Sequence, residues 1–429
     1  MSAPSLVYAD ADGNIYDHPE LKLAGSAGGR LEPVDERQCI PLPPGSELFL
    51  LPRRLPVGIG PNGSFETMEH DPLKGRGRVT AVAAFLAPAH TLTLNPAYRT
   101  VDHAPVLPLF AYAAVGFMRG EFVAAGIRVD HLPRQDPDRF PAPERIAAAA
   151  RRLLHRFKHN ALWQHLGTCA LTYCCPAARN LMLARWEAPL PTSPACNAAC
   201  LGCLNSQPQG TFPCTQERMR FSPTATEVAE VALHHLRKAR DPLVSFGQGC
   251  EGEPLMQGGL LSEAITLIRK ASPQGTVNLN SNGSLPGTVA DLMQAGLSSI
   301  RVSSNSLIPQ RHQRYYQPKD WSLDDAIQSL REVKKAGGHA SINLLTMPGV
   351  NDRPEEIQAL YALIEDTGLD LIQWRNLNID PEVYLKALGL EPPDERMGIA
   401  ELIKDLKKRY PSLKHGYFNP KLDTGAAIK

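Results

Sequence analysis

The chain has 429 residues, which is too long for one ordinary hydrophobic core and predicts two or three domains. Its 45 Lys and Arg residues against 44 Asp and Glu leave a formal net charge of +1, which argues against a nucleic-acid-binding or membrane-surface protein. The most apolar stretch, residues 107–127, contains Arg119 and Glu121, so a buried helix or strand pair is favoured over a membrane span. No basic region followed by an apolar core opens the sequence, which predicts a cytoplasmic protein without a secretory signal.

The cysteines are distributed unevenly along the chain. Cys39 stands alone, and the other eight of the nine fall between Cys169 and Cys250. An odd number of cysteines in a long chain without a signal argues against a disulfide framework and for metal binding, catalysis or core packing. The chemistry of the protein is therefore expected in this stretch.

The first part of the chain, residues 1–140, is rich in Pro and Gly with short apolar runs and predicts a mostly β N-terminal domain of unknown role. Asp12-Gly13 suits a tight hairpin turn. A calcium loop here is excluded, because the glycine comes two positions too early for an EF-hand and no helices flank it. Residues 141–180 are predicted to form a helical connector. We interpret its basic helix as one whose charged side faces solvent and whose other side carries an Ala/Leu stripe, rather than as a phosphate-binding surface.

From residue 181 the sequence alternates between short apolar strands and amphipathic helices. Helix starts are indicated by the capping box of Thr224 and Glu227, by Ser322 and by Pro354. The pattern predicts six strands, at residues 181–188, 242–247, 276–280, 299–304, 339–345 and 369–376. This is an α/β fold, a partial (β/α)6 TIM-like barrel, with functional groups at the carboxyl ends of its strands.

A cysteine motif follows the first of these strands. Cys196, Cys200 and Cys203 are spaced C-x3-C-x2-C in a Gly-containing loop. Structural zinc sites and iron–sulfur clusters usually take four protein ligands. Three thiolates with no fourth at matching spacing therefore suggest a cluster with one iron left open for an external ligand, against the alternative of zinc or core cysteines.

This motif, on a βα loop of such an array, resembles the signature of the radical S-adenosylmethionine (SAM) superfamily. The resemblance covers residues 181–395 and implies that the three cysteines are catalytic and hold a [4Fe–4S] cluster whose fourth iron is chelated by SAM. Gly252-Glu253-Pro254 resembles the family element that receives the SAM amino group, with Glu251 in place of its first glycine. Residues 396–429 are left as a C-terminal helix and tail, suited to closing the open edge of the barrel.

Further polar residues end the later strands in the order that the resemblance requires. Taken alone, each of these residues fits a role in a turn or a helix cap as well as it fits SAM binding. The candidate SAM-binding residues are Asn280, Ser281, Asn282, Ser303, Ser304, Asn305 and Asn343. A turn at residues 347–352 is similar to the one beneath the adenine. In one departure, the position before the last cysteine, often aromatic in the family, is Gly202, so the stacking partner must come from elsewhere.

The implied activity is reductive cleavage of SAM to a 5′-deoxyadenosyl radical that abstracts hydrogen from a C–H bond. The implied partners are a small electron donor such as flavodoxin or ferredoxin and a peptide or small-molecule substrate that the sequence does not identify. The alternative is a non-catalytic iron–sulfur or zinc protein that uses the array as a binding or electron-transfer scaffold. Five cysteines remain as core residues or as ligands of a second cluster: Cys169, Cys174, Cys175, Cys214 and Cys250.

Overall fold

The computed structural model describes residues 3–75, 77–133, 136–208 and 212–422. Its N-terminal part forms a 13-stranded antiparallel sheet. The strands are β1 (Ser5–Ala9), β2 (Ile15–Ala27), β3 (Arg30–Pro33), β4 (Cys39–Pro41), β5 (Glu47–Leu51), β6 (Arg54–Ile59), β7 (Phe65–Thr67), β8 (Thr80–Phe85), β9 (His90–Leu92), β10 (Asn95–Pro96), β11 (Tyr98–Thr100), β12 (Val115–Met118) and β13 (Glu121–Arg128). The mostly β character expected of this region is therefore confirmed.

The turn expected at Asp12-Gly13 joins β1 to β2. Its geometry is fixed by the buried carboxylate of Asp10, which accepts the backbone N–H groups of Asp12 at 3.0 Å and Asn14 at 2.9 Å. The apolar stretch at 107–127 supplies the paired strands β12 and β13. Among the described residues, no helix is long and apolar enough to cross a membrane.

Three helices follow the N-terminal sheet: α1 (Pro143–Arg156), α2 (Ala161–Leu171) and α3 (Pro176–Met182). The strand predicted from residue 181 begins only at Arg185, because Leu181 and Met182 complete α3. Pro176 sits at the first turn of that helix, and a short apolar run alone does not distinguish helix from strand.

The rest of the chain builds a 7-stranded parallel sheet in sequential order. Its strands are β14 (Arg185–Pro189), β15 (Arg240–Phe246), β16 (Thr276–Ser281), β17 (Ser299–Ser304), β18 (His339–Thr346), β19 (Leu371–Asn376) and β20 (Lys414–Gly416). The helices are α4 (Ala225–Lys238), α5 (Gly258–Ala271), α6 (Pro286–Ala295), α7 (Pro309–Tyr316), α8 (Leu323–Lys335), α9 (Pro354–Thr367), α10 (Pro381–Leu388) and α11 (Ile399–Arg409). The predicted array is confirmed, and the tail adds a seventh strand beside β19.

The sheet is curled into a partial barrel. Glu187 on β14 and Gln373 on β19 both hydrogen-bond the side chain of Asn419, at 2.7 Å and 2.9 Å. In a flat sheet these two strands would lie about 24 Å apart, at about 4.8 Å per strand. Their shared partner therefore places both ends of the strand series around one interior.

The two faces of this sheet differ in chemistry. The outward face packs under the helices in the main hydrophobic core, with buried residues such as Val244, Leu279 and Ile300. The inward face is polar, and we call the space it surrounds the lumen. A connected hydrogen-bond network lines the lumen. Its members are Glu187, Ser245, Asn278, Asn280, Ser299, Arg301, Gln373 and Asn419.

The N-terminal sheet packs against the carboxyl ends of the last parallel strands. Thr91 donates its hydroxyl to the carbonyl of Trp374 at 2.6 Å, and the amide N–H of Gly28 donates to the carbonyl of Pro348 at 2.9 Å. Arg54 and Asp380 form a buried ion pair at 3.0 Å across the same contact. These contacts fix the N-terminal sheet over one side of the lumen opening.

Candidate active site at the carboxyl ends of the parallel strands

The cysteine motif lies in the segment that follows β14, which we call the cysteine loop (residues 193–207). Backbone hydrogen bonds hold the loop against the end of α7. The backbone N–H groups of Ala199 and Leu201 donate to the carbonyls of Tyr316 and Tyr315, at 3.0 Å and 2.9 Å. The indole N–H of Trp321 donates to the carbonyl of Asn197 at 2.8 Å. The position of the motif is therefore set by a helix more than 100 residues later in the chain.

The three thiols of the motif are half-buried and near one another. Burial and the neighbouring Cys203 and Cys196 raise the pKa of Cys200 above its usual range, and burial likewise raises the pKa of Cys196. A cationic iron core would reverse this cost, since metal ligation requires thiolates and stabilises them. The donor set therefore fits an iron–sulfur cluster with three protein ligands.

The spacing of the sulfur atoms separates a cluster from a single ion. In a tetrahedral zinc site with Zn–S of about 2.3 Å, sulfurs stand about 3.8 Å apart. Within the described residues, one group of three His, Cys, Asp or Glu has all its ligand atoms within 4.8 Å of one another, and it does not include the motif cysteines. At least one pair of the Cys196, Cys200 and Cys203 sulfurs is therefore more than 4.8 Å apart, which is wider than one zinc ion requires and favours a cluster in which each cysteine binds a different iron.

Cys203 has two polar neighbours. Its thiol donates to Oδ1 of Asn205 at 3.6 Å, and Nη2 of Arg218 lies 3.8 Å from its sulfur. Nε of Arg218 also donates to Oδ1 of Asn205, at 2.8 Å. A cation and a polar contact at a ligating sulfur are among the factors that set the reduction potential of a cluster.

Gly252 and Glu253 lie against the residues that precede Cys196 in the cysteine loop. Their N–H groups donate to the carbonyls of Ser193 and Ala195, at 2.7 Å and 2.8 Å. A Cβ on residue 252 would stand 2.0 Å from the oxygen of Ala195, so only glycine allows this approach. Pro254 then begins a short 3₁₀ helix, Pro254–Gln257.

The Glu253 carboxylate is buried and organises the strand ends around it. Oε1 accepts the Ser281 hydroxyl at 2.6 Å and the Leu255 N–H at 3.0 Å, and Oε2 accepts the Asn282 N–H at 2.9 Å. Burial raises the pKa of this carboxyl to about 7. With one donor on Oε2, the carboxylate retains capacity for a further donor such as an ammonium group.

Asn282 connects the same group to the cysteine loop. Its Nδ2 donates to Oδ1 of Asn197 at 2.9 Å, next to Cys196. The structure therefore brings together Cys196, Glu253, Ser281 and Asn282, four of the residues singled out from sequence. Asn197 belongs to this group but carries no signal in the sequence.

The remaining candidates divide between the lumen and the loops. Asn280 joins the lumen network, and Asn343 donates to Ser303 at 3.1 Å on the same inward side. Oδ1 of Asn343 is buried without a hydrogen-bond partner. Ser304 and Asn305 instead hold the loop after β17, since Ser304 bonds the carbonyl of Ser306 and Asn305 donates to the Tyr384 hydroxyl.

Glu251, which replaces a family glycine, is a site residue that sequence reasoning missed. Its carboxylate is buried and accepts four backbone N–H groups and one hydroxyl, from Thr192 (2.7 Å and 3.2 Å), Ser193 (2.9 Å), Gly247 (2.8 Å) and Gln248 (2.8 Å). Burial raises its pKa to about 7, while these N–H groups favour the charged form. Glu251 thus joins the start of the cysteine loop to the segment after β15.

The lumen contains two guanidinium groups. Arg301 on β17 donates to Gln373 at 3.3 Å, and its buried Nε has no partner. Burial, with the like charge of Arg375, lowers the pKa of Arg301 to about 9, so the group stays charged at neutral pH. The guanidinium of Arg375 lies 4.2 Å above the ring of Tyr417. Within the described network these two cations face one carboxylate, Glu187.

Comparison with known proteins agrees with this geometry. Residues 190–364 match the Radical SAM superfamily. The GTP 3′,8-cyclase of Peptoclostridium acidaminophilum is 27% identical over 178 residues, covering 41% of this chain and 50% of that protein. The FeMo cofactor biosynthesis protein NifB of Chlorobaculum tepidum is 22% identical over 244 residues, covering 53% and 55%. The chain spans about half the length of these curated relatives.

Solved structures are similar at lower identity. Streptococcus suis SuiB bound to S-adenosylmethionine aligns with a TM-score of 0.39 and 15% identity, covering 62% of this chain and 59% of that one. The stretch that matches the family, residues 190–364, begins directly after β14 and contains the cysteine motif and the carboxyl ends of β15 to β18. Residues 190–364 of this chain are therefore a radical SAM domain, and enzymes of this superfamily use a [4Fe–4S] cluster and SAM as cofactors.

Proposed function

We propose that this protein cleaves SAM reductively at a [4Fe–4S] cluster held by Cys196, Cys200 and Cys203, and directs the resulting radical at a small anionic molecule in the lumen. The cluster is supported chiefly by the cysteine loop. Its three sulfur atoms are spread more widely than one zinc ion requires, and the loop lies above the polar carboxyl ends of the strands. When bound and reduced, the cluster supplies the electron that breaks a carbon–sulfur bond of SAM.

The residues of the chain then bind and orient. Glu253 offers a buried carboxylate with spare acceptor capacity beside Cys196, suited to the SAM ammonium group. Gly252 allows the backbone to approach the cysteine loop, and Asn282 fixes Asn197 within it. Arg218, half-exposed beside Cys203, marks the side on which we place the docking of an electron donor such as flavodoxin or ferredoxin.

The decisive experiment is anaerobic reconstitution with iron and sulfide, followed by dithionite and SAM. We expect iron–sulfur charge-transfer absorbance and release of 5′-deoxyadenosine. Replacing any one of Cys196, Cys200 and Cys203 by Ala should abolish both, whereas Cys174→Ser and Cys214→Ser, at exposed cysteines, should leave both intact. Zinc that is lost when Cys196, Cys200 and Cys203 are replaced, with no SAM cleavage by the parent protein, would establish the alternative scaffold protein instead.

The charged side chains of the lumen indicate the substrate class. Arg301 and Arg375 give the inward face a positive balance, since Glu187 is the one carboxylate among the described residues whose charge acts on Arg301. A buried guanidinium with an unpartnered Nε is stabilised by an anion that completes its hydrogen bonds. Several relatives are GTP 3′,8-cyclases, and GTP is a multiply charged anion. We therefore favour a small anionic substrate over a peptide.

Thermal unfolding of the anaerobic holoenzyme tests this choice. GTP and pyrophosphate should raise the midpoint, and uncharged guanosine should not. Arg301→Met should remove the shift, while Arg237→Met, at an exposed position on α4, should preserve it. Stabilisation by neutral peptides that is unchanged in Arg301→Met would reassign the substrate to the peptide class.

A further inference from the structure

A second set of metal-ligand side chains lies outside the cysteine loop, where α2 meets the segment after β15. His165 and Cys169 are one turn apart on α2, and Cys250 approaches them from that segment. One ligand atom from each of the three lies within 4.8 Å of the other two, which no other such group in the described residues achieves. Both cysteines are buried, at 2% and 5% exposure.

We propose that His165, Cys169 and Cys250 bind one zinc ion. With Zn–N of about 2.0 Å and Zn–S of about 2.3 Å, a tetrahedral ion places its nitrogen and sulfur ligands about 3.5 Å apart. Nε2 of His165 and Sγ of Cys169 are 3.6 Å apart in the structure. Two thiolates and a neutral imidazole also balance the charge of a divalent ion in this buried position.

Hydrogen bonds account for two sides of this triangle, between Cys169 and His165 and between Cys169 and Cys250. They do not require the third side, yet the ligand atoms of Cys250 and His165 also lie within 4.8 Å of each other although they belong to different elements. Backbone contacts hold the two cysteines there, since the carbonyl of Cys250 accepts the Met219 N–H at 2.8 Å and that of Cys169 accepts the Cys175 N–H at 2.9 Å. Convergence of three ligands from two separate elements on one point is the arrangement that a zinc ion with three protein ligands and one water molecule requires.

The spacing favours one ion over a second iron–sulfur cluster. In a four-iron cluster each cysteine binds a different iron, which separates the sulfurs more widely than a single ion does. Cys175 is not part of the group within 4.8 Å, so the protein supplies three ligands. His165 is half-exposed, which leaves the fourth position to a water molecule from its side.

The position of the site defines its role. Cys250 is flanked by Gly249 and Glu251, whose carbonyls both accept Nδ2 of Asn205, at 2.6 Å and 2.8 Å. Asn205 in turn accepts the Cys203 thiol. Zinc would therefore link α2 to the segment after β15, which supports the cysteine loop. It would not contact the cluster itself.

The test uses the full-length chain with the cluster ligands removed, so that it does not depend on the proposed SAM chemistry. The variant Cys196→Ala/Cys200→Ala/Cys203→Ala, purified from zinc-supplemented cells, should contain about one zinc ion per chain by elemental analysis. Adding Cys169→Ser and Cys250→Ser should remove at least nine-tenths of it. Adding Cys174→Ser and Cys214→Ser instead, at exposed cysteines, should remove none.

Cobalt substitution gives a second readout that needs no site variant. Co²⁺ added to the zinc-stripped triple variant should produce thiolate charge-transfer absorbance and the visible bands of a tetrahedral ion, in a one-to-one titration. Zinc content unchanged by Cys169→Ser and Cys250→Ser would overturn the proposal. So would iron and sulfide retained in the triple variant, which marks a second cluster, or a Cys169–Cys250 disulfide in protein prepared without oxygen.

Discussion

The hydroxyl of Tyr315 occupies the space beside Gly202: a Cβ on residue 202 would stand 2.8 Å from that oxygen. Tyr315 is buried at the end of α7, and its carbonyl accepts the N–H of Leu201 in the cysteine loop. The aromatic side chain that many family members carry before their last cysteine is absent here. An aromatic ring from a different element fills the adjacent volume instead.

This relationship predicts a compensating pair of substitutions. Gly202→Ala should cost about 1–3 kcal/mol and reduce iron retention, because the new methyl group meets the Tyr315 oxygen. In Tyr315→Phe/Gly202→Ala the nearest side-chain atom becomes Cε2 at 3.6 Å, an ordinary contact, so iron retention should recover. Thermal unfolding and iron content of the four proteins of the cycle measure the coupling. Equal losses in the single Gly202→Ala and the double variant would show that the hydroxyl is not the obstacle.

Glu251 predicts an unusually strict requirement for a carboxylate. Oε1 accepts two backbone N–H groups and Oε2 accepts two more, from Gly247, Gln248, Thr192 and Ser193. In Glu251→Gln the new NH2 group faces two N–H donors in either orientation, which should cost about 2 kcal/mol or more. Iron retention should fall with stability, since these donors position the start of the cysteine loop.

The matched control for this substitution is Glu263→Gln, at an exposed position on α5, which should change neither property. Denaturant unfolding and iron content of both variants give the comparison. A Glu251→Gln protein as stable and as iron-rich as the parent would show that the carboxylate is replaceable.

Gly252 gives a prediction about backbone proximity. Gly252→Ala should displace the segment leading to Cys196, because its Cβ would meet the Ala195 carbonyl at 2.0 Å. We expect loss of most bound iron. Gly259→Ala, on α5 with no atom within 4 Å of the new Cβ, should retain iron and gain up to about 1 kcal/mol from helix propensity. If both variants hold iron equally well, the close approach is not needed for the cluster.

Local pattern was enough to predict the parallel strands and the place of the cysteine loop. The strand predicted at 299–304 is observed as Ser299–Ser304, and the capping box of Thr224 and Glu227 opens α4 as expected. Such features depend on apolar periodicity and on contacts within a few residues. The order of the candidate residues along successive strand ends follows from the same pattern.

The features that were missed depend on tertiary contacts. Apart from its first residue, a proline, helix α7 contains no aliphatic side chain, and its importance lies in backbone hydrogen bonds to the cysteine loop. Arg301 and Arg375 lie on β17 and β19, which are far apart in sequence, and the order of the sheet brings these strands within one strand of each other. Cys169 and Cys250 are far apart in sequence, and no spacing rule predicts their approach to His165.

His235 gives a prediction about acid stability. The side chain lies on α4, fully buried, and its Nε2 is 2.6 Å from the carbonyl of Trp186, to which it must donate. Burial lowers the pKa of His235 to about 4. Below pH of about 6.5 the unfolded chain takes up a proton at this residue that the folded protein does not, so the free energy of unfolding falls as pH decreases toward 4. The full effect is about 3–4 kcal/mol, since one pKa unit corresponds to about 1.4 kcal/mol.

The substitution His235→Gln isolates this contribution to acid stability. Glutamine retains an N–H donor for the Trp186 carbonyl but does not titrate. Urea unfolding between pH 4 and pH 7.5 should therefore show a shallower pH dependence in His235→Gln than in the parent. His159→Gln, at an exposed histidine just before α2, should reproduce the parent curve. Parallel curves for His235→Gln and the parent would mean that His235 is protonated in the folded protein as readily as in the unfolded chain.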